Sequence, residues 1–256
     1  MNPEYKLIFY DRRLGQDAIL FASRLCPETL AEIVPEYARF YPIAADSFLY
    51  AKSEINHSPG KKFIIALLGA SATGKDAIMD TILQSAPELV DATLTATTRP
   101  RRSDNDRQIF YTREEFMQKE AAGEFVEYVA IGENLYGTQV ATIEENIKSP
   151  KITLWRGELS GSVTLKKWLT ESHPEVTFLT LFVLPDISFN DLAQRIVKER
   201  GGKDAWETRI PRALWEIRQA PILADLLLCN PYDPSGQPKK ASEAALKYFQ
   251  KLVAEN

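Results

Sequence analysis

The stretch "LLGASATGKD", residues 67–76, decides how the rest of the chain is read. Gly69 through Lys75 spell G-x-x-x-x-G-K. The continuous apolar run "KFIIALL" precedes them, and "DAIMDTILQSAPEL" follows with Ile78, Ile82 and Leu83 at helical spacing. A buried parallel strand, a glycine turn and a helix in that order form a phosphate cradle. The glycines let successive amides point at phosphate oxygens, the helix adds its positive N-terminus, and Lys75 adds a point charge. Gly69, Ala70, Ser71, Ala72, Thr73, Gly74 and Lys75 are therefore the candidate ATP-phosphate site, with a merely structural glycine turn as the plainer alternative. Position 76 is anomalous. A loop of this kind places Ser or Thr there to hold magnesium, whereas this chain has Asp76, which suits a helix N-terminus and can ligate the metal but repels the neighbouring phosphates.

Working outward, further strands are expected at "KITLW" (151–155), "VTFLTLFVL" (176–184) and "ADLLLCN" (224–230). Helices are expected between and after them, including the C-terminal "ASEAALKYFQKLVAE". This alternation predicts an α/β fold, a parallel sheet flanked by helices. Upstream, residues 1–58 read as a small N-terminal module. It has a strand-like "YKLIFYD", a helical "DAILFASRL", and "PETLAEIVPEYARFYPI", in which Pro35 and Pro42 limit helix length. The turn-rich "NHSPGKK" is the hinge to a second unit, 59–256. The module's aromatic content implies a packed surface that docks on the core, mediates self-association or binds a partner.

Composition narrows the function classes. A 256-residue chain, 45% hydrophobic and 26% charged, is an ordinary globular protein, and a formal charge of -4 argues against bulk attraction to nucleic acid or anionic membrane. No apolar run approaches the roughly 18 residues of a membrane span, so a cytoplasmic location is expected. Cys26 and Cys229 are too few for a disulfide framework and read as buried small side chains, while His57 and His173 lie near loops and read as solvated.

A second basic feature is "LTATTRPRR", residues 94–102, where Arg99, Arg101 and Arg102 suit bidentate capture of another phosphate or form a solvated turn. It is followed by "FYTREEFMQKEAAGEFVEYVAIGENLYGT". Taken together, the loop, "TTRPRR" and this segment resemble the guanylate kinase family over roughly residues 61–256. The resemblance implies a P-loop NTPase-type sheet with an acceptor-binding segment at about 95–140, a lid at about 195–218, and phosphoryl transfer from Mg2+-bound ATP to GMP. It places Arg99, Arg102 and Tyr136 on the acceptor phosphate, Glu127 on the guanine N1 and N2 hydrogens, and Thr95 and Thr138 at the guanine edge. Arg195 and Arg209 of the lid fall on the transferring group, and Asn230 lies near the adenine. Plainer roles remain beside these: a solvated glutamate for Glu127, an interface aromatic for Tyr136, a helix-surface ion pair for Arg209 and a strand cap for Asn230.

Three departures accompany the resemblance. Asp76 replaces the metal-holding hydroxyl and is the tentative metal ligand. Gln108 stands where a phosphate-binding tyrosine is expected, leaving that contact missing or supplied by Tyr111. Arg156 and Glu158 occupy the two positions of a D-x-D, which assigns both to the acceptor site. Asp76 and the "RG" at 156–157 partly resemble ribose 1,5-bisphosphate phosphokinase, a relative on the same fold. A sugar-phosphate kinase and a catalytically silent recognition module are thus the alternative functions.

Overall fold

The computed structural model describes residues 10–11, 16–17, 24–32, 34–44, 48–52, 61–101, 106–201, 205–231 and 238–255. A short antiparallel ribbon, β1 (Tyr10–Asp11) with β2 (Gln16–Asp17), comes first. Next are α1 (Pro27–Ala31), a 3-10 turn (Pro35–Arg39) and the hairpin of β3 (Phe40–Pro42) and β4 (Leu49–Lys52). Pro27 and Pro35 each start one of these helical turns, where a missing N–H costs nothing. Most of "YKLIFYD" and "DAILFASRL", and the expected boundary at 58, lie outside the described residues.

The predicted buried strand is β5 (Lys62–Leu68), and α2 (Lys75–Ser85) follows the loop. β6 (Val90–Ala92) and β7 (Thr95–Thr97) lead into a smaller unit made of β8 (Gln108–Phe110), α3 (Arg113–Ala121), β9 (Phe125–Ile131) and β10 (Asn134–Gln139). The chain returns through α4 (Val140–Lys148), β11 (Ile152–Arg156), α5 (Leu159–Ser172), β12 (Val176–Asp186) and α6 (Phe189–Arg200). It ends with a helix at Ile210–Leu223, β13 (Leu226–Pro231) and a C-terminal helix at Lys239–Ala254.

The main sheet runs β3-β4-β13-β12-β5-β11-β6. Its five strands from β13 to β6 are parallel with β5 in the middle, and the hairpin extends the β13 edge antiparallel. Alternation along β5 explains its unbroken apolar sequence: Ile64, Ala66 and Leu68 pack into one core with the helix at 210–223, while Phe63, Ile65 and Leu67 pack into the other with α2 and the C-terminal helix. The smaller sheet, β8-β7-β10-β9, has its own core of Ala96, Phe116 and Leu135. Among the described residues no helix is long and apolar enough to cross a membrane.

Tyr37 is fastened to the helix at 210–223 by a buried hydrogen bond. Pro221 has no N–H, so the carbonyl of Ile217, four residues earlier, loses its helical donor. The Tyr37 hydroxyl donates to that carbonyl at 2.6 Å, and Tyr37 itself is buried beside Leu25, Leu30 and Phe40. Tyr37→Phe is therefore expected to destabilise the fold by about 1–3 kcal/mol. In a Pro221→Ala background, where a helical donor returns, denaturant unfolding should show a smaller loss; an equal loss in both backgrounds would contradict the pairing.

Candidate functional site

After Leu68 the backbone can turn back on itself because three residues adopt positive φ: Gly69 at 154°, Ala72 at 63° and Gly74 at 87°. The close approach is tightest at Gly74, where a Cβ would stand 2.5 Å from Asn230 Nδ2. That amide, at the end of β13, donates to the Thr73 carbonyl at 3.0 Å, and Thr73 Oγ1 donates to the Ala70 carbonyl at 2.9 Å. Asn230, which the resemblance set near the adenine, thus braces the loop from behind. The brace and the glycines deliver Lys75 and Asp76 to the first turn of α2, where the helix N-terminus favours anions.

Beside the loop lies a solvent-open cleft of about 110 Å³. Its described walls bring together most of the expected residues: Ser71, Lys75 and Asp76 from the loop, Thr95, Arg99, Glu127 and Tyr136 from the small sheet, Arg156 and Glu158 after β11, and Arg209. Arg209 ends the single π-turn Ala205–Arg209. Arg195, on α6, is not among the lining residues, and Arg102 lies outside the described residues.

Glu127 is the buried carboxylate of this cleft. Thr138 Oγ1 donates to its Oε1 at 2.6 Å, and the buried Trp155 Nε1 donates to that same hydroxyl oxygen at 2.8 Å. The Thr138 proton is therefore committed to the carboxylate, which it orients. Oε2 rests against α5 at Gly161, where a Cβ would be only 2.5 Å away. Burial raises the Glu127 pKa to about 7, and nearby Glu158 adds to the rise, while the Thr138 hydrogen bonds lower it.

Arg99 is differently placed. Nη1 donates to Asp106 Oδ2 at 2.7 Å and to the Pro100 carbonyl at 2.9 Å; Nη2 donates to Asp106 Oδ1 at 2.8 Å and to Gln108 Oε1 at 2.5 Å. All four Nη hydrogens are engaged, and both side chains of the ion pair are only 9% exposed. Breaking such a buried bidentate pair costs about 3–5 kcal/mol. Gln108 joins this network and reaches Thr95 Oγ1 through Nε2, and the Tyr111 hydroxyl donates to Gln139 Oε1, away from the cleft lining.

The two other anomalies form one feature. In parallel register, Arg156 at the end of β11 sits beside Leu67 of β5, which places its Nη1 3.3 Å from Asp76 Oδ1. With exposures of 25% and 57%, this pair is worth about 0–1 kcal/mol. Among the described residues no group of three or more His, Cys, Asp or Glu gathers to hold a metal. Asp76 alone offers a carboxylate at the loop, a donor set that fits a magnesium ion carried in on nucleotide phosphates rather than one held by the protein unaided.

Arg212 was not visible as functional in the sequence. Its Nη2 donates to Glu158 Oε2 at 2.9 Å and its Nε to Glu216 Oε1 at 3.2 Å, tying the helix at 210–223 to the exit of β11. Glu216 is buried, and burial next to Glu158 holds its pKa well above the ordinary carboxylate range. Trp155, Gly161 and Asp106 were missed as well.

Comparison with known proteins gives the family. The guanylate kinase family model matches residues 61–208. The chain is 34% identical to a guanylate kinase of Trichormus variabilis over 174 residues, 66% of this chain and 82% of that protein. It is 31% identical to one of Thermotoga maritima over 162 residues, 62% and 73% of the two chains. The crystal structure of guanylate kinase from Anaplasma phagocytophilum has a similar fold, with a TM-score of 0.55 and 20% identity over 75% of this chain and 87% of that one.

Asp106→Ala would leave the buried Arg99 guanidinium without its carboxylate. A loss of about 3 kcal/mol is expected, read as a lower urea midpoint at unchanged slope; an unmoved midpoint would show that the pair adds nothing to the fold.

Proposed function

Because this chain belongs to the guanylate kinase family, we propose that it transfers the γ-phosphoryl group of ATP to a nucleoside monophosphate, with GMP as the acceptor. The observation that carries the reading is Glu127: a buried, oriented carboxylate in the same cleft as the phosphate loop. In its ionised form it accepts two adjacent N–H donors, as the guanine N1 and N2 edge supplies. Adenine would leave those buried acceptors unpaired, which is how a polar pocket discriminates strongly.

The roles of the remaining residues follow from position. The amides from Gly69 to Gly74 and the Lys75 ammonium hold the ATP phosphates, with the α2 N-terminus behind them. Asp76 is the residue that would hold magnesium; the ion, when bound, neutralises charge on the β- and γ-oxygens. Arg209, which lines the cleft just before the helix at 210–223, supplies positive charge where it develops on the transferring group. Glu158 and Arg212 hold that helix to β11, so the lid and the reaction centre keep a fixed spacing.

Lys75→Ala is expected to remove turnover while leaving the thermal midpoint within a few degrees of wild type; full turnover in the variant would contradict the loop's role. Glu127→Gln should cut the preference for GMP over AMP by about 10²-fold or more, measured as the ratio of kcat/KM values, and an unchanged ratio would remove Glu127 from base reading.

The Glu127 pKa gives a further check. Guanine needs the carboxylate, so the KM for GMP is expected to fall as pH rises through about 7. Stability runs the other way. With the folded-state pKa above the unfolded value, the free protein is favoured by the protonated form and loses that contribution as pH climbs from the ordinary carboxylate range through about 7. Both trends should flatten in Glu127→Gln, and pH profiles of KM and of the thermal midpoint would reveal whether they do.

A further inference from the structure

We propose that Arg156 receives the acceptor's phosphate in place of Arg99. The proposal rests on the nucleoside-monophosphate reading and assigns the residue that makes the acceptor's phosphate count.

Three observations converge. The Arg99 fork is closed on Asp106 from one edge, Gln108 Oε1 takes the second Nη2 hydrogen, and the Pro100 carbonyl takes that of Nη1, so no two-point fork faces the cleft. A phosphate reaching Arg99 would have to break a buried bidentate pair. Arg156, in contrast, lines the cleft together with phosphate-loop residues and Tyr136, and its Nη1 meets Asp76 Oδ1 at 3.3 Å, a carboxylate that is 57% exposed. A phosphomonoester dianion, with three acceptor oxygens and nearly twice the charge, displaces a solvated carboxylate from a guanidinium readily. Finally, the backbone beyond Arg156 is fixed: a Cβ at Gly157 would fall 2.0 Å from the buried Trp155 ring, so the chain passes tightly over that indole and the Arg156 side chain starts from a rigid base.

The test compares GMP with guanosine, because their difference in affinity isolates the phosphate. Calorimetric titration of the full chain is expected to give tighter binding of GMP than of guanosine. Arg156→Ala should cut that advantage by about 10–100-fold, with guanosine affinity unchanged and partial recovery in Arg156→Lys. Asp106→Asn should leave the advantage intact, since opening the Arg99 fork gives the phosphate nothing it uses. Survival of the advantage in Arg156→Ala, or selective tightening of GMP in Asp106→Asn, would overturn the proposal and return the phosphate to Arg99. Failure of wild type to bind either ligand would instead contradict the guanine reading. Inorganic phosphate then replaces the pair: binding weakened by Arg156→Ala upholds the arginine's role, and binding that is absent or indifferent to it overturns that role.

Discussion

The turn between β5 and α2 can be made only if no side chain stands at 69 or 74. A Cβ at Gly69 would meet Thr73 Oγ1 at 2.9 Å, and one at Gly74 would meet Asn230 Nδ2 at 2.5 Å. β5 lies in the middle of the parallel strands, and the loop that follows it is reached by Asn230 from the β13 side and by Arg156 from the β11 side. The cleft therefore opens at the carboxyl edge of the sheet, where α/β sheets place their ligands.

Around this loop the charges are arranged in pairs of unequal strength. Arg99 with Asp106 and Arg212 with Glu158 are part-buried and multiply hydrogen-bonded, so they act as struts. Arg156 with Asp76 is a longer contact, at 3.3 Å, and its carboxylate is 57% exposed. The distinction matters for function because a ligand anion redistributes the weakest pair first. Glu127 belongs to neither kind. It faces Thr138 and Gly161 in a pocket that disfavours its charge, which makes its ionisation sensitive to what binds there.

Much of this was legible in the sequence where the signal was local. "KFIIALL" had to be a strand buried on both faces, and the glycines that follow had to be a turn, because apolar continuity and backbone freedom are properties of neighbouring residues. Residues 127, 136 and 138 were assigned to one site by the family resemblance, and the antiparallel register of β9 and β10 pairs Glu127 with Thr138. What the sequence could not specify was partner choice. Arg99 reads as a phosphate fork until Asp106 is seen to fill it, Glu158 reads as an acceptor contact until Arg212, 54 residues on, is seen to hold it, and Tyr37 reads only as an aromatic until Pro221 is seen to leave a carbonyl for it. Asp76 and Arg156 looked like two separate departures; the register of β11 on β5 makes them one ion pair.

The central claim is that this cleft joins a donor nucleotide to a nucleoside monophosphate. Its most direct test is 31P spectroscopy of the purified protein with Mg-ATP and GMP, alongside parallel samples holding AMP or ribose 1,5-bisphosphate. Conversion of GMP to GDP, with the β-phosphate resonance of GDP growing as ATP is consumed, is the expected result; ATP left intact with GMP, or consumed only with one of the other acceptors, would contradict it.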